Sequence, residues 1–128
     1  MTEFRWLTAD SILAIHDRQL AEHGGPAGLK DAGLLESALG RPVNQHAYGS
    51  TDAADLAAAY AFGIARNHPF VDGNKRTAWI AARLFLRLNQ IEITFDKADA
   101  TETVLSLAAG SLSEAELAAW FRARIVPE

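Results

Sequence analysis

Apolar residues recur along this chain with a helical period almost from end to end. Thr8 has the chemistry of an N-cap, and the helix it opens is expected to run to about His23, with Ile12, Leu13, Ile15 and Leu20 as its buried stripe. Gly24-Gly25-Pro26 stops it. Asp31 opens a second, short helix with Leu34, Leu35, Ala38 and Leu39 on one side, and Gly40-Arg41-Pro42 is expected to end it. Residues 42–50 keep no clean period and read as an irregular loop or small hairpin flap. A third helix begins at Thr51 or Asp52, where Asp52 and Asp55 suit the positive end of the helix dipole, and Leu56, Tyr60 and Ile64 share one face.

The period breaks at Asn67, because a residue close before Pro69 is steered out of the helical region. A fourth helix starts near Gly73 or Asn74 and runs to about Leu88, with Ile80, Leu84 and Leu88 on one face and Ala81 and Phe85 beside it; Asn89 is its stop. Residues 91–95 alternate like a strand but are short and lack an obvious partner. A fifth helix spans about residues 100–109 and ends at Gly110. Ser113-Glu-Ala-Glu116 is a capping box that opens a last helix with Leu117, Trp120, Phe121 and Ile125 facing inward. The pattern predicts an all-α, six-helix bundle, and no linker or repeat divides residues 1–128 into more than a single domain.

Composition narrows the function. Many of the apolar residues are Ala and Leu, which favours helix. The net charge of −4 argues against a direct nucleic-acid binder. With no cysteine, disulfides and thiolate metal sites are excluded. The first residues have no signal-peptide core and no apolar run is long enough to span a bilayer, so a cytoplasmic protein without membrane contact is expected.

One segment departs from the structural pattern. His68, Asp72, Asn74, Lys75 and Arg76 are crowded between two strongly apolar helices. From Gly63 to Gln90 there are five Lys/Arg against one acid, so an acidic protein is locally positive here. Gly73 lets a ligand approach the backbone, and the helix that follows offers unpaired N–H groups to an anion. Lys75 and Arg76 add charge, Asp72 a hard oxygen for Mg²⁺, and His68 a base near neutral pH. Phe70 and Val71 are expected to turn inward and pin the loop. The constellation points to phosphate chemistry, and no P-loop or protein-kinase signature is present to supply it otherwise. His16, His23 and His46 read as structural; His46 is the one whose irregular surroundings could border the site. Arg83 and Arg87 read as a solvated helix face.

His68-Pro-Phe-Val-Asp-Gly-Asn-Lys-Arg76 resembles the Fic-domain core motif, His-x-Phe-x-Asp/Glu-Gly-Asn-Gly/Lys-Arg, and the Lys75 version resembles its Doc (death on curing) branch. Residues 28–42 and 107–114 are similar to the Doc pattern on either side, so the resemblance covers most of the chain. It implies a helical Fic/Doc fold with the site at the start of the central helix. It further implies that His68 acts on a target hydroxyl, Phe70 anchors the loop in the core and Asp72 handles Mg²⁺. Gly73 and Asn74 would form an anion hole, with Lys75 and Arg76 holding the phosphates of ATP. Most Fic proteins carry Gly at the position of Lys75 and transfer AMP. The Doc-type Lys implies an inverted nucleotide and transfer of the γ-phosphate. The resemblance therefore implies a toxin kinase that phosphorylates a threonine of elongation factor Tu, halts translation and is restrained by a small antitoxin. That antitoxin would lay an amphipathic segment in a groove near the site, lined by the first helix and residues 42–50. Many Fic proteins inhibit themselves through a Ser/Thr-x-x-x-Glu helix, and no Ser or Thr here has Glu four residues on. An AMP-transferring Fic enzyme and a catalytically inactive interaction domain are the alternatives.

Overall fold

The computed structural model describes residues 3–127. Among them the fold is all-α, with α1 (Ala9–His23), α2 (Ala32–Ala47), α3 (Ala53–Asn67), α4 (Asn74–Leu88), α5 (Lys97–Ala109) and α6 (Glu114–Arg122), and no strands. Four of the helices begin on the side-chain caps their sequences offer. Thr8 and Ser11 form a reciprocal capping box on α1, as Ser113 and Glu116 do on α6. Asp31 accepts from the Leu34 N–H, and Asp52 from the Ala54 N–H.

At the centre lies α3. Ten of its fifteen residues are buried, which marks a helix covered on nearly every side, and it touches α2, α4, α5 and α6. Small side chains let its neighbours come close. A Cβ added at Gly63 would sit 3.3 Å from the Cα of Ala38, so α2 crosses α3 almost backbone to backbone there. On α4 the fully buried face is Ala78, Ala81, Ala82 and Phe85, while Ile80, Leu84 and Leu88, expected at its centre, are half-buried flanks. Close approach to α3 selects alanine for the contact and moves the larger side chains to its edges.

Three boundaries differ from the sequence reading. Residues 42–47 are helix rather than loop or hairpin flap, as α2 continues through Gly40 and Pro42 to Ala47, and only residues 48–50 form an irregular turn. Leu35, Ala38 and Pro42 form one buried stripe against the core, and burying it outweighs the backbone donor that proline lacks. Residues 91–95 make no strand, only an isolated bridge between Ile93 and Ile125, where the Thr94 N–H donates to the Arg124 carbonyl at 2.9 Å and the Val126 N–H to the Glu92 carbonyl at 2.8 Å. The chain's C-terminal tail, lying far away in sequence, satisfies a segment that found no local partner. Finally, α5 starts at Lys97, directly after its N-cap Asp96. Among the described residues no helix is long and apolar enough to cross a membrane.

The N-terminal segment is clamped by one buried hydroxyl. The Leu7 N–H donates to the Tyr60 hydroxyl at 3.0 Å, and Phe4 and Trp6 pack on Phe85 with ring centroids 5.9 and 5.7 Å away. Burial pushes the Tyr60 phenol up from 10.0 to about 12, against a smaller downward pull from the Leu7 N–H. A raised folded value means that ionisation opposes folding. The stability tied to this group is therefore complete below pH 10 and is lost as pH rises through 12. Tyr60→Phe is expected to lower unfolding free energy by about 1–3 kcal/mol, because it strands a buried N–H. It should also flatten the alkaline loss of stability above pH 10; urea melts of both proteins from pH 8 to 11 check both outcomes.

Candidate active site

The 68–73 loop joins the end of α3 to the start of α4, and both its ends are left-handed. His68 caps α3 at φ 49°, ψ 57°, and Gly73 precedes α4 at φ 78°, ψ 16°. Glycine takes this conformation freely, but a histidine does so at a cost of about 1–2 kcal/mol. The backbone strain falls on a residue whose side chain is exposed at the turn.

Four sets of contacts hold the loop. Phe70 is buried and stacks face to face on His16, with centroids 3.8 Å apart and planes 8° from parallel. His16, from α1, also hydrogen-bonds the Asp72 carbonyl through Nε2 at 2.8 Å. The Asn74 side chain closes a small ring: it accepts from the Phe70 N–H at 3.0 Å and donates to the Phe70 carbonyl at 2.9 Å. The strap that follows α1, residues 24–31, lies along the outside. Lys30 and Asp31 N–H groups donate to the Pro69 carbonyl at 2.7 and 3.1 Å, and the Val71 N–H donates to the Gly28 carbonyl at 3.1 Å. Gly25 passes beside the Asp72 carboxylate at φ 117°, a backbone conformation that favours glycine.

The six residues assigned to catalysis or phosphate binding, His68, Asp72, Gly73, Asn74, Lys75 and Arg76, line one cavity of about 800 Å³. No side chain caps the start of α4, so its first N–H groups face the cavity without an internal partner. Asn74 is buried and its amide is spent on Phe70; what it offers an anion is its backbone N–H. Asp72 is the single acid among the cavity's lining residues, and His68 the single histidine. Among the described residues no three acids or histidines gather to hold a metal unaided. A lone exposed carboxylate beside a phosphate cradle is nonetheless the donor set Mg²⁺ uses, with phosphate oxygens and water completing its shell.

Several expectations need correction. Val71 does not turn inward; it is 52% exposed and lines the cavity, so of the two apolar residues only Phe70 enters the core. His46 packs against Phe4 and Trp6 and bonds the Ser50 carbonyl at 2.7 Å, away from the motif. Beside residues 42–50 lies a cavity of about 880 Å³ lined by α2, α3 and α6, with neither α1 nor any motif residue in its wall. It is larger than the motif cavity but lacks convergent chemistry, since Arg41 is paired with Glu114.

The far wall of the motif cavity was not read from the sequence. Trp79 and Arg83 follow Arg76 at helical spacing, and Phe95, Lys97 and Thr101 face them from the start of α5. The 76, 79, 83 spacing was a usable signal for the first two. Nothing local marks the α5 residues, because the fold of the 89–96 connection brings them there.

The motif falls within a match to a known family. The model of the Fic/DOC family matches residues 6–86. The chain belongs to the Fic/Doc family, on its Doc side. It is 35% identical over 115 residues to the protein kinase doc of Escherichia phage P1, covering 89% of this chain and 90% of that one. It is 47% identical over 77 residues to the toxin Doc of Mycolicibacterium smegmatis, covering 57% and 58% of the two chains. In this Fic/Doc chain the motif loop depends on the Asn74 ring. Asn74→Ala is expected to cost about 1–3 kcal/mol by stranding two Phe70 backbone groups. Hydrogen exchange should quicken at residues 70–73 while α6 stays protected; unchanged exchange in the loop would refute the role given to Asn74.

Proposed function

We propose that this chain is the toxin of a toxin–antitoxin module and acts as an ATP-dependent protein kinase, moving the γ-phosphate of ATP to a threonine of a translation factor, elongation factor Tu by resemblance. The observation that carries the reading is Lys75 in the first turn of α4, lining the same cavity as His68. A glycine there would leave an open backbone pocket for an inner phosphate pair, whereas the lysine stem fills that volume and presents one outer charge. The terminal phosphate is then the group brought in line with the acceptor hydroxyl. The names of the phage P1 and M. smegmatis relatives, a protein kinase and a toxin, support the same reading.

The chain's own residues divide the work. His68 is exposed, and its imidazole has no hydrogen-bond partner among the described residues, so it is free to take the hydroxyl proton. As the hydroxyl oxygen bonds to the γ-phosphorus, the bond from that phosphorus to the β–γ bridging oxygen breaks and ADP leaves. Backbone N–H groups of residues 73–75 and the Lys75 and Arg76 side chains stabilise the charge that spreads over the equatorial oxygens. Mg²⁺, held by Asp72 together with phosphate oxygens, would supply further neutralisation of the leaving phosphate. His16 and Asn74 keep the loop still, so that positioning, the main demand of phosphoryl transfer, is met by the fold. A small antitoxin restrains the enzyme. The apolar side chains left exposed around the motif, Val71 and Leu105 on the cavity wall and Leu29 on the strap, offer its amphipathic segment a place near the site. Such a target puts the reaction in the cytoplasm.

His68→Ala is expected to keep the fold and to lower transfer by about 10²–10⁴-fold. Undiminished growth arrest by this variant would remove His68 from the mechanism. ATP labelled separately at its two ends tests the chemistry: wild type should pass only the terminal label to protein, and Lys75→Gly should pass less of it. Appearance of the α-label on the target overturns the kinase reading in favour of AMP transfer.

A further inference from the structure

Four cations line the motif cavity: Lys75 and Arg76 at the motif, and Arg83 and Lys97 beyond it. None of them takes part in an ion pair among the described residues, although the chain as a whole carries an acidic surplus. Of the far pair, Arg83 is the better built. Its guanidinium carbon lies 5.1 Å from the centroid of Phe95. Phe95 is itself held by the edge of Trp79, 5.9 Å away at 80°, and Trp79 stacks on the buried Phe121 at 5.6 Å and 19°. Phe121, Trp79, Phe95 and Arg83 thus form a chain of contacts from the core to the cavity wall. Stacking occupies a face of the guanidinium and leaves its N–H donors, which lie in the plane, free at the edges. A cation fixed in this way has lost rotamer freedom before any ligand arrives, and it has no carboxylate to satisfy it.

Spacing supplies the ligand. Arg83 lies seven residues after Arg76, about 10 Å along the helix, and long helical side chains lean back toward the N-terminus. An anion whose first phosphate sits at the start of α4 therefore finds Arg83 within reach of a further phosphate in the same molecule. We propose that Arg83, pinned over Phe95, is a second phosphate-holding arginine, which binds the inner phosphates of the nucleotide and so fixes which end of it faces His68. This rests on the phosphotransfer reading above. Burial and the like charge of Arg87 one turn on both lower the Arg83 pKa, and a bound phosphate would relieve that repulsion. In this arrangement Lys75 and Arg76 hold the terminal phosphate, and Arg83 keeps the rest of the nucleotide extended along the α4–α5 wall.

Calorimetric titration of the whole chain with ATP, inorganic tripolyphosphate and adenosine, each in the presence of Mg²⁺, tests this. Arg83→Gln should weaken both ATP and tripolyphosphate by about 10–100-fold and leave adenosine unchanged. Arg83→Lys, which keeps the charge but loses the fork, should fall between. Arg87→Gln removes the same charge one turn along, outside the cavity wall, and should change ATP binding by less than about 2-fold. Loss of adenosine binding with tripolyphosphate intact would make Arg83 a base platform and overturn the assignment. An equal loss in Arg87→Gln would reduce it to a general field and overturn it as well. Wild type that binds ATP undiminished by Arg83→Gln sinks this assignment alone, whereas wild type that binds neither ATP nor tripolyphosphate sinks the phosphotransfer reading with it. Arg83 is exposed, so matching melting curves for the variants are expected and serve as the folding control.

Discussion

The contact between α3 and α4, two helices rich in buried alanine, fixes the two ends of the 68–73 loop, and the geometry of the candidate site follows from that contact. Ala57, Ala58 and Ala61 are fully buried on α3, as are Ala78, Ala81 and Ala82 on α4. Small side chains let two helices approach closely and leave little room for their relative position to vary. The loop between them is six residues long and must reverse the chain, which is why it uses a left-handed residue at each end. A histidine accepts this conformation only because the helices on both sides leave it no alternative. The strained residue is also the one that presents its imidazole to the cavity.

Around that frame the loop is held by polar groups from three other parts of the chain. His16 reaches from α1, the 24–31 strap contributes backbone hydrogen bonds, and Asn74 bonds back from α4 itself. Each of these bonds alone is worth about 1 kcal/mol. Their combined effect is positional: the loop's backbone N–H groups and side chains are held in place without waiting for a ligand. The cations show the opposite economy. Among the described residues Lys75, Arg76, Arg83 and Lys97 stand unpaired along one cavity, while Arg41, Arg122 and Arg124 on the bundle surface are matched with carboxylates. Mutual repulsion within the cavity is a cost to the free protein that an anionic ligand removes.

The sequence by itself determined the helical class, the caps at Thr8, Asp31, Asp52 and Ser113, and the content of the motif. These are local properties: a capping box or a glycine before a helix acts within one turn, so its signal lies within a few residues. The motif also stood out locally, as a dense cluster of polar groups between apolar helices. Tertiary structure decided the rest. It carried α2 through Gly40 and Pro42, since burying Leu35, Ala38 and Pro42 against α3 overrides a local stop signal. It gave residues 91–95 their partner in the C-terminal tail. It left Val71 exposed and brought to the loop His16, a histidine 56 positions away from Asp72 that no local pattern connects to it. And it brought Phe95 and Lys97 opposite Trp79 and Arg83, making one wall of a cavity from residues whose roles are set only by distances across the bundle. Local signals fix what each segment can be; which segments meet depends on packing that no window of sequence contains.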